Sequence, residues 1–233
     1  MIESFLKETF PRHYGVDPET VNVPIERIQE PFSKADRKAC NDAANTRYNK
    51  KGVFDKYREV CSTCDKVVLK VDNKGHEITI VEFENYIISL PNNQIAESRC
   101  DLLMTDGDPH NKIVFCDLCC YDEKYIEPNS GHHPEGKRAF AQKQMEESIE
   151  MFMGIDVLNQ YILTYPEKVC LFAYRAYNAI QEPVTAQRGN AENNMQAMMV
   201  TASSVSGSIV TENKVLNHNF IFVQNKYPAV YNW

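Results

Sequence analysis

Two aspartates are the residues of this sequence that are best placed to do chemistry. Asp117 stands in the middle of K-I-V-F-C-D-L-C-C-Y, a continuous apolar run of strand length from Lys112 to Tyr121. Such a run is typical of a strand buried on both faces, where a carboxylate is costly unless it is paired, hydrogen-bonded or bound to a metal. Asp101 lies one segment earlier, in C-D-L-L-M.

The polar turn T-D-G-D-P-H-N separates the two segments, so we expect them to form a β-hairpin. On neighbouring strands, Asp101 and Asp117 would repel one another, which favours a divalent cation between them. A cation held there could activate water and stabilise charge on a phosphate. The open alternatives are that Asp101 ends a strand and that Asp117 pairs with a buried lysine or arginine.

The rest of the sequence alternates helix and strand patterns. Capping residues and apolar periodicity predict helices at 33–52, 53–60, 137–152 and 155–165. Runs of β-branched and aromatic residues predict strands at 67–71, 76–83, 86–90, 168–175 and 219–224. Asp36, three residues after Ser33, fits a shortened capping box for the first helix, and Asn73 to Gly75 predicts a turn.

Three segments of the chain differ in composition. Spaced prolines in 1–32 predict an irregular arm, so residues 1–52 are expected to form an arm and a helix. Residues 53–180 are expected to form the α/β core. Residues 181–233, which are rich in Gln, Asn, Ser and Thr at first, are expected to form an extension whose last strand packs on the core.

The order of these elements resembles the restriction-endonuclease-like fold of PD-(D/E)xK nucleases. The resemblance covers roughly residues 50 to 175 and has four matching parts: Arg99-Cys100-Asp101, Asp117-Leu118-Cys119, the helix Lys137–Phe152 and the strand Lys168–Arg175. It implies an α/β (α+β) fold with a central mixed β-sheet flanked by helices. It also implies metal-dependent hydrolysis of phosphodiester bonds, with DNA as the favoured substrate.

The resemblance also implies roles for particular residues. Asp101 would be the first metal ligand and Asp117 the second acid, with magnesium or manganese as the cofactor. The lysine that the family places two residues after this acid, where it orients or deprotonates water, is replaced by Cys119. A displaced lysine is therefore expected to act.

Three lysines are candidates for that role: Lys137 and Lys143 on the following helix, and Lys124 in the loop. Lys137 is favoured because it lies near the start of the helix. Lys143 and Lys124, together with Gln144, are then candidates for contacts with the substrate. The alternative, favoured by Cys119, is a catalytically degenerate nuclease fold that serves as an interaction or assembly subunit.

The net charge of −7 argues against a free-standing, nonspecific nucleic-acid binder, so we expect a homodimer or a partner subunit to assist substrate binding. The N-terminal residues M-I-E-S-F-L-K-E-T-F lack the apolar core of a signal peptide, and no run approaches the about 18 apolar residues of a membrane span. We therefore expect a cytoplasmic protein that does not cross a membrane, with its eight cysteines reduced.

Two Cys-x-x-Cys pairs, Cys61 with Cys64 and Cys116 with Cys119, raise the alternative of a zinc-stabilised binding module. On a regular strand, however, Cys116 and Cys119 would point to opposite faces. Magnesium or manganese is therefore expected in preference to zinc.

Histidines offer a further alternative. His110 in the hairpin turn, and His132 and His133 beside a glycine, could bind a metal or act as a general base. Cys119 or Cys120 could be paired with His132 as a nucleophile, but the sequence around them has no recognisable signature of such a site.

Overall fold

The computed structural model describes residues 2–36, 67–91, 99–107, 110–128, 134–177 and 208–233. Two β-sheets contain the described strands: one of seven strands in the order β1-β4-β5-β6-β7-β9-β8, and one of three in the order β10-β3-β2. The strands are β1 Ile25–Ile28, β2 Phe32–Ala35, β3 Val67–Asp72, β4 Ile78–Glu82, β5 Leu102–Asp106, β6 Lys112–Asp122, β7 Glu167–Tyr177, β8 Ser208–Val215, β9 Ile221–Lys226 and β10 Val230–Asn232.

The α-helices are α1 Ile2–Ser4, α2 Phe10–His13, α3 Phe83–Ser89, α4 Gly136–Met153 and α5 Asp156–Leu163. A π-helical turn, Phe5–Thr9, joins α1 to α2. Among the described residues, no helix is both long and apolar enough to cross a membrane.

Strand β6, which carries Asp117, is the central strand of the seven-stranded sheet. It pairs antiparallel with β5 and parallel with β7, and β7 pairs parallel with β9. The sheet is therefore mixed, which confirms the predicted mixed α/β fold. The predicted hairpin of β5 and β6 is also confirmed.

The two faces of β6 pack against different layers. Ile113, Phe115 and Cys119 belong to the core shared with the described helices. Val114 and Cys116 belong to a second core, shared with β3 of the three-stranded sheet. The expectation of a strand buried on both faces is confirmed, but the described helices cover one face and a second sheet covers the other.

An aromatic cluster fills the helix-side core and explains why the chain packs there so closely. The ring centroid of Phe115 lies 6.4 Å from Phe83, 5.6 Å from Phe152 and 5.6 Å from Phe220. Phe152 is at the end of α4, whose buried positions include Ala141, Met145, Ser148 and Ile149. Helix α4 is thereby fixed over β6 and β7.

Most predicted elements after residue 66 are present. Strands β3, β4, β7 and β9 and helices α4 and α5 lie where the sequence patterns placed them, within a few residues. A turn does follow β3, with positive φ at Lys74 and Gly75. The strands on either side of it enter different sheets, however, because β3 pairs with β2 and β10 whereas β4 pairs with β1 and β5.

The prediction of a helix that begins at Ser33 is wrong for its first residues, because β2 occupies Phe32–Ala35. There Ser33 pairs with Lys70 across the smaller sheet, and the buried Lys34 ammonium lies 2.8 Å from Glu26. Pairing between distant segments has overridden a locally helical composition. The remainder of that predicted helix, and the one at 53–60, lie outside the described residues, apart from Asp36.

The strand predicted at 86–90 is also wrong, because this segment belongs to α3. Phe83, Tyr86 and Ile87 recur at helical spacing and all three are buried, so a short apolar run that resembles a strand is one helical face.

Residues 1–32 are more regular than the predicted arm. Ile2, Leu6 and Phe10 enter the helix-side core, and β1 pairs with β4. Strands β8 and β10 were not predicted either. The segments expected at 1–52, 53–180 and 181–233 thus contribute strands to the same two sheets. Strand β2 of the first segment pairs with β3 of the second, and β9 of the third pairs with β7 of the second.

Replacing Phe115 tests the proposed centre of the core. We expect Phe115→Ala to lower the free energy of unfolding by about 3–5 kcal/mol, because it removes a fully buried ring and leaves a cavity. Chemical denaturation followed by circular dichroism measures this change. Val157→Ala is the matched control: its side chain is 50% exposed, so a change of less than about 0.5 kcal/mol is expected. Equal losses in the two variants would contradict this view of the core.

Candidate active site

A pocket of about 200 Å³ lies beside the carboxyl-terminal half of β6. Its walls come from the end of β2, the bend before β5, β6 itself and the first turns of α4. The lining residues are Asp36, Asp101, Asp117, Leu118, Cys119, Cys120, Tyr121, Lys137, Phe140 and Gln144. Asp101, Asp117, Lys137 and Gln144, which were all singled out from the sequence, meet here.

The β5–β6 hairpin brings Asp101 and Asp117 together. Leu102 pairs with Cys116 in the antiparallel ladder, and continuing that register places Asp101 opposite Asp117 on the same face. Asp101 is 5% exposed and Asp117 is 8% exposed. Two carboxylates are therefore buried side by side at the wall of one pocket.

Asp101 is held from both sides. Its carboxylate oxygen Oδ2 accepts a hydrogen bond from the Leu118 amide at 2.7 Å, which ties it to β6. Its carbonyl oxygen accepts from the amides of Phe83 and Glu84, at 2.8 and 3.3 Å, where α3 begins. Backbone groups on two elements thus fix the position of this side chain.

Helix α4 fixes the residues that lead into Asp101. The buried Ser148 hydroxyl accepts a hydrogen bond from the Cys100 amide at 2.8 Å and donates one to the Gln144 carbonyl at 2.8 Å. The Gln144 side-chain amide donates to the Arg99 carbonyl at 2.9 Å. Gln144 therefore both lines the pocket and holds the backbone before Asp101.

A close backbone contact sets the start of α4. Gly136 has a φ of +80°, and a Cβ atom there would lie only 2.6 Å from the Glu127 carbonyl carbon. Only glycine fits this contact without a shift. The amide of Arg138 donates to the Ile126 carbonyl at 3.1 Å, so the first turn is docked on the segment that follows β6. Lys137 is carried to the pocket by this docking.

The Lys137 ammonium lies over two aromatic rings of the pocket wall. Its Nζ atom is 4.4 Å from the ring centroid of Tyr121 and 5.9 Å from that of Phe140. Such contacts favour a cation electrostatically and restrain a flexible side chain. Of the lining residues in the described parts of the chain, Lys137 carries the one ammonium.

Cys119, two residues after Asp117, carries a neutral thiol. Burial raises its pKa well above the ordinary value, and the carboxylates of Asp117 and Asp36 raise it further. The Lys137 ammonium acts on the same pKa in the opposite direction, which shows that its charge reaches the neighbourhood of Cys119. The cation at this position of the pocket thus comes from α4 and not from β6.

Asp36 is a pocket residue that the sequence interpretation missed. It follows β2, and its carboxylate oxygen Oδ2 accepts a hydrogen bond from the Cys120 amide at 2.8 Å. Its interpretation as part of a helix cap was wrong. Nothing local in the sequence could have placed it here, because its position depends on how β2 packs over a strand more than 80 residues away.

The other two predicted lysines are not among the lining residues. Lys124 lies in the 3₁₀ turn Glu123–Tyr125, with its ammonium 4.7 Å from the ring centroid of Tyr125. Lys143 is on α4 with its side chain 63% exposed and its ammonium 3.9 Å from Glu147.

The remaining chemical candidates lie elsewhere. His110 is at the turn of the β5–β6 hairpin, away from Asp101 and Asp117 along the strands, with its Nδ1 atom 3.4 Å from the Tyr165 hydroxyl. Cys116 and Cys119 are on opposite faces of β6, as strand alternation predicted. Residues 61, 64, 132 and 133 lie outside the described residues.

The chemistry of the pocket fits a hard divalent cation. Among the described residues that line it, three carboxylates outnumber one ammonium, which favours a cation in this partly enclosed space. Across the described parts of the chain, no group of three or more His, Cys, Asp or Glu side chains is arranged to hold a metal by itself. Magnesium characteristically uses one or two carboxylates and completes its shell with water and substrate phosphate, so Asp101 and Asp117 are a suitable pair of ligands.

Comparison with known proteins gave no match: no family model, no curated protein and no solved structure is significantly similar to this chain. The interpretation of the pocket therefore depends on its own geometry.

The raised pKa of Cys119 predicts slow alkylation in the folded protein. The thiolate is the reactive form, and each unit of increase in pKa lowers its fraction about tenfold. We expect iodoacetamide to label Cys119 at least about tenfold more slowly at pH 8 in the folded than in the urea-unfolded chain. The labelling rate should keep rising with pH beyond the point where that of the unfolded chain levels off.

Peptide mass spectrometry at a series of labelling times measures this rate at Cys119 itself. Equal rates in the folded and unfolded chains would show that the thiol is not buried as described.

Proposed function

We propose that this protein hydrolyses phosphodiester bonds in nucleic acid, with DNA as the favoured substrate, in a reaction that depends on magnesium or manganese. The observation that carries the proposal is the convergence of Asp101, Asp117 and Lys137 on one pocket. These residues come from a hairpin and from a later helix, and their types are those that phosphodiester hydrolysis requires.

The element order supports the finer classification as a restriction-endonuclease-like fold. An antiparallel hairpin bears the two acids, an amphipathic helix follows it, and the next strand pairs in parallel with the second strand of the hairpin. This is the arrangement expected of a PD-(D/E)xK core.

Asp101 and Asp117 are the residues that would hold the cation. When bound, magnesium or manganese would polarise the phosphate and lower the pKa of a water molecule. The protein's own contribution is to keep the two carboxylates adjacent, and the Leu118 amide does so by orienting the Asp101 carboxylate toward β6. Preorganised acceptors of this kind need no rearrangement when the substrate arrives.

Lys137 would act on water and on the substrate. Its ammonium lines the same pocket as Cys119, the position at which a PD-(D/E)xK nuclease carries its lysine, and it can orient the attacking water or balance charge on the phosphate. The rings of Tyr121 and Phe140 restrain it there.

Three further side chains have supporting roles in the proposal. Gln144 positions the backbone before Asp101 through its bond to the Arg99 carbonyl. Lys124 and Lys143 lie outside the pocket and would contact flanking phosphates of a longer substrate. Because the chain carries a net charge of −7, a homodimer or a basic partner subunit would add the cations that nucleic-acid binding requires.

A second candidate function is binding without catalysis, by a degenerate nuclease fold. The observation in its favour is Cys119: its neutral, buried thiol cannot replace the missing lysine. On this view the pocket would bind a partner or support assembly. The only role of Lys137 would then be to pack against the rings of Tyr121 and Phe140.

Removing the Asp117 carboxylate separates the two candidates. We expect Asp117→Asn to lower magnesium-dependent cleavage by about three orders of magnitude, because a lost metal ligand removes several kcal/mol of transition-state stabilisation. Supercoiled DNA, linear DNA and RNA should each be incubated with the protein and magnesium or manganese, with and without chelator. Asp156→Asn, at an exposed aspartate at the start of α5, is the matched control and should keep full activity. Absence of Asp117-dependent cleavage of every substrate would leave the binding function.

Replacing Lys137 tests the displaced lysine. We expect Lys137→Gln to lower kcat by about 10²–10⁴-fold, the usual effect of losing a positioned acid–base group. Lys143→Gln on the same helix should change KM at low salt and leave kcat nearly unaltered, because Lys143 lies outside the pocket. Steady-state kinetics gives both constants. Equal effects of the two substitutions on kcat would refute the role of Lys137.

A further inference from the structure

We propose that the substrate enters this site as a single strand, with unpaired bases stacked on an aromatic rim beside the pocket. The aromatic rim consists of Tyr121, Tyr125, Phe140 and Tyr174. The choice of nucleic acid as the ligand rests on the proposed function, whereas the preference for a single strand rests on the rim itself.

The rim is continuous with the pocket. Tyr121 and Phe140 line the pocket together with Lys137. Tyr125 extends the surface outward, with its ring centroid 5.5 Å from that of Tyr121 at a steep angle. Tyr174 lies on the adjacent strand, where the β6–β7 register places it beside Cys119 on the same face. A strand whose phosphate occupies the pocket would thus have its neighbouring bases over these rings.

The rim differs from the buried aromatic cluster of the same protein. All four rim side chains are half-buried, so part of each ring surface faces solvent. By contrast, Tyr86 and Tyr165 are fully buried, and their hydroxyl groups bond to the Leu6 carbonyl and to Tyr161. Core packing accounts fully for those rings, whereas the two rim rings that also pack against the core remain partly exposed.

Cations lie over the same rings. The ammonium of Lys137 is 4.4 Å from the centroid of Tyr121, and that of Lys124 is 4.7 Å from the centroid of Tyr125. Alternating rings and cations are the features with which proteins bind single-stranded nucleic acid, because bases stack on the rings while phosphates contact the cations.

Acidic residues at the rim are neutralised by ion pairs. Glu123 lies 3.1 Å from the Lys226 ammonium, and Glu127 lies 2.9 Å from the Arg138 guanidinium. Burial raises the pKa of Tyr174; among the nearby charges, the Lys226 ammonium lowers this pKa and the carboxylates of Glu127 and Glu123 raise it. The approach to the rim is therefore not closed to a polyanion.

Single strands fit this surface better than a duplex does. In a duplex the faces of the bases are occupied by neighbouring bases, so rings at a protein surface have nothing to stack on. An unpaired strand offers those faces, and stacking on an aromatic side chain is largely independent of base identity. The rim therefore predicts a preference for unpaired strands without strong sequence specificity.

Binding should be measured with calcium in place of magnesium, so that a cation can offset the pocket carboxylates while cleavage stays slow. Fluorescence anisotropy with labelled strands of about 16 nucleotides, the upper end of the site sizes known for stacking folds, gives the affinities. We expect the single strand to bind at least about tenfold more tightly than a duplex of the same sequence. Single-stranded RNA should be tested alongside DNA, and a preference for either single strand over its duplex supports the proposal.

Substitutions at Tyr125 separate stacking from other effects. Tyr125→Leu should weaken single-strand binding at least about fivefold, whereas Tyr125→Phe, which keeps the ring, should bind like the original protein. Tyr14→Leu is the matched control. Tyr14 is half-buried and packs against Phe10, which in turn contacts Phe152. Phe152 lies about 22 Å along α4 from Lys137.

Lys124→Gln provides a second measurement that does not alter a packed ring. It should reduce the slope of log affinity against log salt by about 0.7 for single strands. Equal binding of duplex and single strand, or equal affinities for Tyr125→Leu and Tyr125→Phe, would overturn the proposal. Failure of the nuclease function would show instead as absence of Asp117-dependent cleavage with magnesium present, while single-strand binding with calcium would persist.

Discussion

The rest of this structure depends on the burial of two like charges in the middle of a sheet. Asp101 and Asp117 lie opposite each other at the end of the β5–β6 ladder, each nearly inaccessible to water. A hydrophobic pair at these positions would have packed with less cost, since an uncompensated buried charge is among the most unfavourable groups in a protein. The hydrogen bond from the Leu118 amide offsets part of this cost, and the Lys137 ammonium lines the same pocket.

Layers around β6 explain how the two carboxylates can be buried without being sealed off. Helices pack on one face and a three-stranded sheet packs on the other, so the strand itself is enclosed. Its carboxyl-terminal half borders a pocket that the first turn of α4 and the end of β2 also line. The position of the pocket is therefore set by elements from distant parts of the chain.

Local patterns in the sequence were sufficient for some parts of this site and insufficient for others. The apolar run around Asp117 and the polar turn before it are local, so the hairpin and the pairing of its aspartates could be predicted. Asp36 could not, because β2 owes its existence to pairing with β3 across a long stretch of chain, and its own composition is helical. Tyr86 shows a second limit of prediction from local sequence. It lies in a short apolar run, and such a run has the same composition whether it forms a strand or one face of a helix.

The position of Lys137 at this site depends on Gly136, a residue with no side chain. The backbone of Gly136 passes so close to residues 126–128 that a Cβ atom there would force a shift between this segment and the first turn of α4. Because Lys137 is the next residue, such a shift would separate the ammonium from the carboxylates while every charged group was kept. In evolution or in engineering, a chain of this kind could thus gain or lose its chemistry at a position that no search for reactive residues would consider.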